Sequence, residues 1–291
     1  MVTNLSPART NASAFVSPSI SVHVKKPPLN SSVVIAQISD SHLFSDIEQC
    51  HFQANVYQNL CSVLTEITNS PEIDVVIFTG DLTQDHSEAS YQRFCDAVLS
   101  LKINIPFYFL AGNHDEPILL NKILSDEPFL SDKLIETSYW QILLVDSKSD
   151  TPKGKVTEKE LKKLKQSVNS EKHQLVLMHH HPVNVGYFID QDHLQDKISF
   201  WQTINDLPSI KVIGCGHVHQ GLTLPATSNS SQGFEQSIPV YTCPATSIQF
   251  DMNAAKISAS KQGAGYRLWT LAENGQYTTQ VKFLTKAVKR K

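Results

Sequence analysis

Five apolar runs in this chain each stop at residues of the metal-binding kind, and this repetition constrains the fold more than any other feature. VVIAQIS (33–39) stops at Asp40-Ser41-His42, VVIFT (75–79) at Gly80-Asp81, and PFYFLA (106–111) at Gly112-Asn113-His114-Asp115. QLVLM (174–178) stops at His179-His180-His181, and IKVIGC (210–215) at Gly216-His217-Val218-His219. Short apolar runs bounded by turn residues suit buried strands. Between them the period changes. Val56, Leu60, Val63, Leu64 and Ile67 share one helical face, and Phe94, Ala97, Val98 and Leu101 make a second. Leu161, Leu164 and Val168 mark a third helix, with Thr157 as N-cap and Glu160 three residues on. Strand–helix alternation predicts an α/β fold. Open α/β sheets collect ligands at the carboxyl ends of their strands, which is where these polar residues fall.

Residues 239–247 (PVYTCPATS) and 266–284 (YRLWTLAENGQYTTQVKFL) read as further strands, with Asn274-Gly275 as a hairpin turn. No linker breaks residues 32–285, which predicts one domain. Residues 1–31, with Pro7, Pro18, Pro27 and Pro28 and no helical period, predict a flexible tail, and residues 286–291 (KAVKRK) a solvated basic end. Lys plus Arg number 25 against 28 Asp plus Glu, a balance of -3 that argues against a nucleic-acid binder. No run approaches the ~20 apolar residues of a membrane helix. The five cysteines are odd in number and form no CxxC pair, so neither a disulfide framework nor a cysteine zinc site is expected. With no secretory pattern at the N-terminus, the expected compartment is the cytoplasm. The unusual count is histidine, at 12.

Taken singly, each strand-end motif has an ordinary structural explanation. Together, D-x-H, G-D, G-N-H-D, the strand-end His and G-H-x-H resemble the five motifs of calcineurin-like metallophosphoesterases. LFSDI (43–47), TGDLTQD (79–85), LVDS (144–147), HHHPVNVG (179–186), GHVHQ (216–220), PATSIQF (244–250) and GYRLWTL (265–271) further resemble the bacterial class III 3′,5′-cyclic-AMP phosphodiesterase subgroup. The resemblance implies a four-layer α/β/β/α sandwich with two mixed sheets. It implies one metal on Asp40, His42 and His219, another on Asn113, His179 and His217, and Asp81 bridging them. It makes His114 and Asp81 catalytic, with Asp115 orienting His114, and it brings substrate to His42, Asp81, Asn113, His114 and His219. The cofactors implied are two divalent transition metals, Fe²⁺ or Mn²⁺. Carboxylate, amide and imidazole donors suit such ions better than thiophilic ones, and one carboxylate can span metals roughly 3.5 Å apart.

Successive side chains on a strand alternate in direction, so His179, His180 and His181 cannot all be ligands. The family pattern selects His179, leaving His180 and His181 to support or packing. His23, His51, His86, His173 and His193 match no motif and are expected at the surface. Gln84 and Asp85 are expected to support the site. Gln249 and Phe250 are candidates to read and stack on a purine, with the core as the competing place for Phe250. The expected reaction is dimetal hydrolysis of cAMP to 5′-AMP, on a small cyclic nucleotide and without a nucleic-acid or membrane partner. The alternatives are a broader phosphodiesterase or phosphomonoesterase, and a catalytically inactive scaffold. Seven competent ligand positions argue against the scaffold.

Overall fold

The computed structural model describes residues 32–284 except 104, 228–232 and 255. The expected tail (1–31) and basic end (286–291) lie outside the described residues. The elements run β1 (Val33–Ile38), β2 (Cys50–His51), β3 (Ala54–Asn55), α1 (Val56–Thr68), β4 (Val75–Phe78), α2 (Glu88–Ser100), β5 (Phe107–Phe109), α3 (Pro117–Ile123), β6 (Phe129–Leu130) and β7 (Leu134–Glu136). They continue as β8 (Trp140–Val145), α4 (Glu158–Ser167), β9 (His173–Met178), α5 (Lys197–Asn205), β10 (Ile210–Cys215), β11 (Thr223–Leu224), β12 (Val240–Thr242), β13 (Gly265–Leu271) and β14 (Tyr277–Phe283).

Two six-stranded sheets result, ordered β14-β13-β1-β4-β5-β6 and β11-β12-β10-β9-β8-β7. Both are mixed. β1, β4, β5 and β6 are parallel, while β13 and β14 join antiparallel. In the second sheet β8, β9, β10 and β12 are parallel and the two edges antiparallel. The pleat sorts the side chains into layers. Along β1, Val33 and Ile35 pack with Ile142, Leu144, Leu175 and Leu177 of the other sheet, making the core between the sheets. Ala36 and Ile38 pack instead against Leu60, Val63 and Leu64 of α1 and Phe94 of α2. On the far side, Val176 and Ile213 pack against Leu161 and Leu164 of α4 and Phe200 and Trp201 of α5. Helices thus cover both outer faces, giving the four-layer arrangement.

The helical stripes fall where the sequence put them, except that Leu101 and Val168 are C-cap residues just past their helices. Thr157 caps α4 through Glu160 N–H. The run 239–247 is strand only over β12; beyond it the chain crosses to the first sheet, where Thr246 and Ser247 N–H donate to Ser39 and Asp40 carbonyls. Asn274-Gly275 does turn the β13–β14 hairpin, with Gly275 at φ 83°. Among the described residues, no helix is long and apolar enough to cross a membrane.

Candidate metal centre

The loops leaving β1, β4, β5, β9 and β10 meet at one end of the sandwich, and their backbone is unusual. Asp40, His42, Asp81, His217 and His219 all have left-handed φ, at 56, 46, 58, 66 and 52°. A non-glycine residue in that region loses roughly 1–2 kcal/mol relative to right-handed backbone. These five residues follow β1, β4 and β10, and the turns bring their ligand-type side chains toward one another. Close approach makes it possible. A Cβ on Gly80 would lie 2.5 Å from Gly112 N, and one on Gly112 would lie 2.2 Å from Asp81 Oδ1, so no other residue fits where the two loops touch.

Asp115 holds those loops together. Its Oδ2 accepts from Asp81 N–H (2.8 Å) and Gly112 N–H (2.8 Å), and its Oδ1 from Leu82 N–H (2.9 Å). Burial, then the neighbouring Asp81 carboxylate, push its pKa up to about 7, against the pull of those donors. The sequence reading had Asp115 orienting His114; its carboxylate is spent on backbone N–H groups instead, which corrects that expectation.

The acceptors converge. Asp81 Oδ1 takes His114 N–H at 2.8 Å, while its Oδ2 lies 3.4 Å from His179 Nε2 and 3.7 Å from His42 Nε2. His219 Nε2 is 3.4 Å from Asp40 Oδ1 and 3.0 Å from His42 Nε2. His179 Nε2 is 3.1 Å from Asn113 Oδ1. Backbone carbonyls fix two tautomers. His179 Nδ1–H donates to Thr79 O (2.8 Å) and His219 Nδ1–H to Ile248 O (2.9 Å), so each turns its Nε2 to the centre. Asp40 is anchored by His217 N–H at 3.0 Å. His217 Nε2 and His42 Nδ1 are buried with no hydrogen-bond partner.

Lone pairs and carboxylate oxygens facing one another at these distances are stable only around a cation or a proton. Burial lowers the His179 pKa, yet the Asp81 carboxylate outweighs it and raises the value to about 9, so a proton is drawn to the place a cation would take. His42 and His217 go the other way, held well below the usual imidazole value by burial, with neighbouring imidazoles adding to the effect. Neutral imidazoles with free lone pairs are metal ligands in waiting. Asp40, His42 and His219, and separately Asp40, Asp81 and His179, bring donor atoms within 4.8 Å of one another. The donor set fits divalent cations.

The structure thus brings all seven expected ligand side chains together, with Asp81 in the middle. Asn113 and His114 are half-buried and form the rim, while the other six are buried. The His114 ring stands edge-on to His42 at 4.8 Å. His180 also lies near His179 and His217, but both its nitrogens are engaged, Nδ1 by Ser147 Oγ (2.9 Å) and Nε2 by Pro152 O (3.1 Å). His181 Nε2 faces Asp190 Oδ1 at 3.2 Å. Asp85 accepts Ser45 N–H at 2.7 Å and so ties the loop after β4 to the loop after β1. Gln249 is excluded as a base reader, because its amide bonds Ala245 N–H and O and Gly263 O. Phe250 stacks on His219 with centroids 4.0 Å apart, so it braces a ligand-type ring.

Sequence reasoning missed three neighbours. His51 was placed at the surface but is half-buried and stacks on His42 at 6.0 Å. Burial first, then His219 and His114, lower its pKa to about 4. His86 is exposed as expected, yet it stacks on the His114 ring at 5.6 Å and donates from Nδ1 to His114 O at 2.9 Å. Lys148, three residues past the end of β8, donates from Nζ to Asn113 O at 3.3 Å. The strand-end rule applied to β8 would have found it.

Fold and site together define a class of phosphoester-hydrolysing metalloproteins, and residues 33–221 match the family described as calcineurin-like phosphoesterase. The chain belongs to that family. It is 52% identical over 257 residues to a probable cyclic nucleotide phosphodiesterase of Colwellia psychrerythraea (strain 34H / ATCC BAA-681), covering 88% of this chain and 97% of that one. It is 33% identical over 259 residues to the 3′,5′-cyclic adenosine monophosphate phosphodiesterase CpdA of Vibrio vulnificus (strain CMCP6), covering 87% and 90%. In fold it is similar to a dimetal phosphatase from Danio rerio, with a TM-score of 0.56 at 12% identity over 86% of this chain and 99% of the other.

Proposed function

We propose that this chain hydrolyses 3′,5′-cyclic AMP to 5′-AMP with two divalent transition metals, Fe²⁺ or Mn²⁺. The observation that carries the reading is Asp81, whose one buried carboxylate faces His179 on one side and His42 on the other. In this reading Asp40, His42 and His219 would hold one metal and Asn113, His179 and His217 the other, with Asp81 shared. When bound, the metals supply Lewis-acid charge for the phosphate oxygens and activate water.

The chain's own groups do the rest. Asn113 and His114, on the rim, face the anionic phosphate and stabilise the charge it gains. His114 gives a proton to the departing 3′ oxygen. Its backbone N–H fixes the unshared oxygen of Asp81. His42, Asp81, Asn113, His114 and His219 together form the substrate-facing surface. The relatives named as cyclic nucleotide phosphodiesterases, matched over nearly their whole length, support cAMP as the substrate. Five free thiols fit a reducing cytoplasm.

The test compares kcat/KM for cAMP, cGMP, 2′,3′-cAMP, bis-p-nitrophenyl phosphate and p-nitrophenyl phosphate on one metal-loaded preparation. The expected result is a preference for 3′,5′-cyclic nucleotides above about tenfold, or ~1.4 kcal/mol of transition-state discrimination. A linear diester or a monoester preferred by that margin replaces this reading with a broader phosphoesterase. Elemental analysis should find two transition-metal ions per active chain, and active protein without them overturns the metal assignment.

A further inference from the structure

The short β2–β3 hairpin beside the metal centre packs through Ala54 against Ile248 and Phe250, but its turn is built from residues that turns of its kind rarely use. His51 pairs with Ala54, and the two turn residues Phe52 and Gln53 both have left-handed φ, at 45 and 66°. A two-residue turn of this kind is ordinarily made by Asn-Gly or Gly-Gly. Here it is made by a large aromatic and a long amide. Backbone strain held in place beside a candidate site is a reason to look for a function.

The turn delivers a cluster of rings to the mouth of the site. His51 lies nearly parallel to His42, with centroids 6.0 Å apart and planes 18° apart. Phe52 stands edge-on to His51 at 4.7 Å and is 45% exposed. Phe44 closes the cluster at 6.3 Å from His51. His51 belongs to none of the groups of donors close enough to share a metal ion. It therefore sits one ring further out than the ligand-type imidazoles, on the side where the half-buried rim opens.

We infer that His51 is a specificity-determining residue that stacks on the nucleobase of the substrate, with Phe52 and Phe44 bracing it. The inference rests on the phosphodiesterase reading above. A phosphate held at the metal centre leaves the ribose and base to extend outward past the first ring of imidazoles. The surface met on the hairpin side is flat and aromatic. Base–aromatic stacking tolerates any base, because every base has a π-face. The contact should thus select a nucleoside over a bare sugar phosphate, without separating adenine from guanine.

The experiment uses the full metal-loaded chain and two substrates, cAMP and ribose 3′,5′-cyclic phosphate, which lacks the base. Wild type should prefer cAMP. His51→Ala should reduce that preference about tenfold, equivalent to ~1.4 kcal/mol, chiefly through KM for cAMP. His51→Phe, which keeps a flat ring and no ring nitrogen, should retain the preference. Both variants should keep wild-type metal content. A preference undiminished in His51→Ala overturns the inference. So does an equal loss on both substrates or a loss of metal, which would make His51 a prop for His42. His51→Phe behaving like His51→Ala overturns the stacking contact. Wild type that turns over neither compound overturns the functional reading and this inference with it, so the two failures are distinguishable.

Discussion

The two sheets bring different chemistry to the centre. The sheet containing β1, β4 and β5 supplies every oxygen donor, Asp40, Asp81 and Asn113, together with one imidazole, His42. The sheet containing β9 and β10 supplies imidazoles alone, His179, His217 and His219. One half thus brings the carboxylates and the other brings imidazole nitrogen, and neither half is a metal site by itself. The seam between them is also where the orienting bonds run. Thr79 of the first sheet sets the tautomer of His179 in the second, and Asp40 accepts the N–H of His217. The lesson is that the centre is assembled by bonds between the halves as well as by the donors.

The largest effect should come from deleting the charge at the middle of the seam. Asp81→Ala should bind less than one metal per chain and lose more than about 10⁴ in kcat/KM, since metals supply several kcal/mol of transition-state stabilisation. Wild-type metal content in this variant, read by elemental analysis, would mean that the seam does not depend on a shared carboxylate. His114→Ala should keep both metals and lower kcat by about 10²–10⁴, separating chemistry on the rim from assembly of the seam. Loss of metal from this variant would make the ring structural.

Asp115 carries the comparison into one half, because it joins the β4 and β5 loops of the first sheet. It touches no proposed ligand with its side chain other than the Asp81 backbone, so Asp115→Ala should act through loop position. The expected loss is about 10–100-fold in metal affinity or activity, measured by metal titration beside steady-state rates. Unchanged affinity would mean that the first sheet's loops place their donors without it. The smallest effect should come from a site away from the seam. Thr157→Ala removes the α4 cap and should lower stability by about 1 kcal/mol, a shift of ~2–4 °C in Tm, with kcat/KM unaltered. A rate change there would show that the centre feels the whole domain.

The proposed ligands were legible because each follows a buried strand, and a buried strand is an uninterrupted apolar run. β8 is buried at all six positions in the same way, but its run WQILLV ends at Asp146-Ser147 and matches none of the five metal-type motifs. α5 was missed for another reason. Its buried residues Phe200, Trp201, Thr203 and Ile204 are interleaved with a polar Thr, and its N-cap Asp196 makes no side-chain capping bond. The one-turn-longer signal of α1, with Asn55 capping through Gln58 N–H, had both pattern and cap. His51 and His86 were read as surface residues because what brings them to the centre is tertiary. Phe52, Gln53 and His86 turn left-handed without glycine, so the local sequence carries no turn signature.

The five left-handed residues at the centre have a consequence for how such a protein changes over time. Left-handed backbone costs roughly 1–2 kcal/mol for an ordinary residue and almost nothing for glycine. At Asp40, His42, Asp81, His217 and His219, the residue best suited to the local conformation is therefore not the one present. Selection for thermal robustness alone would drift toward glycine at these positions and yield a hardier chain with no centre. Laboratory evolution scored only by melting temperature should collect mutations there first, and a lineage that keeps all five must be screened for turnover in every round.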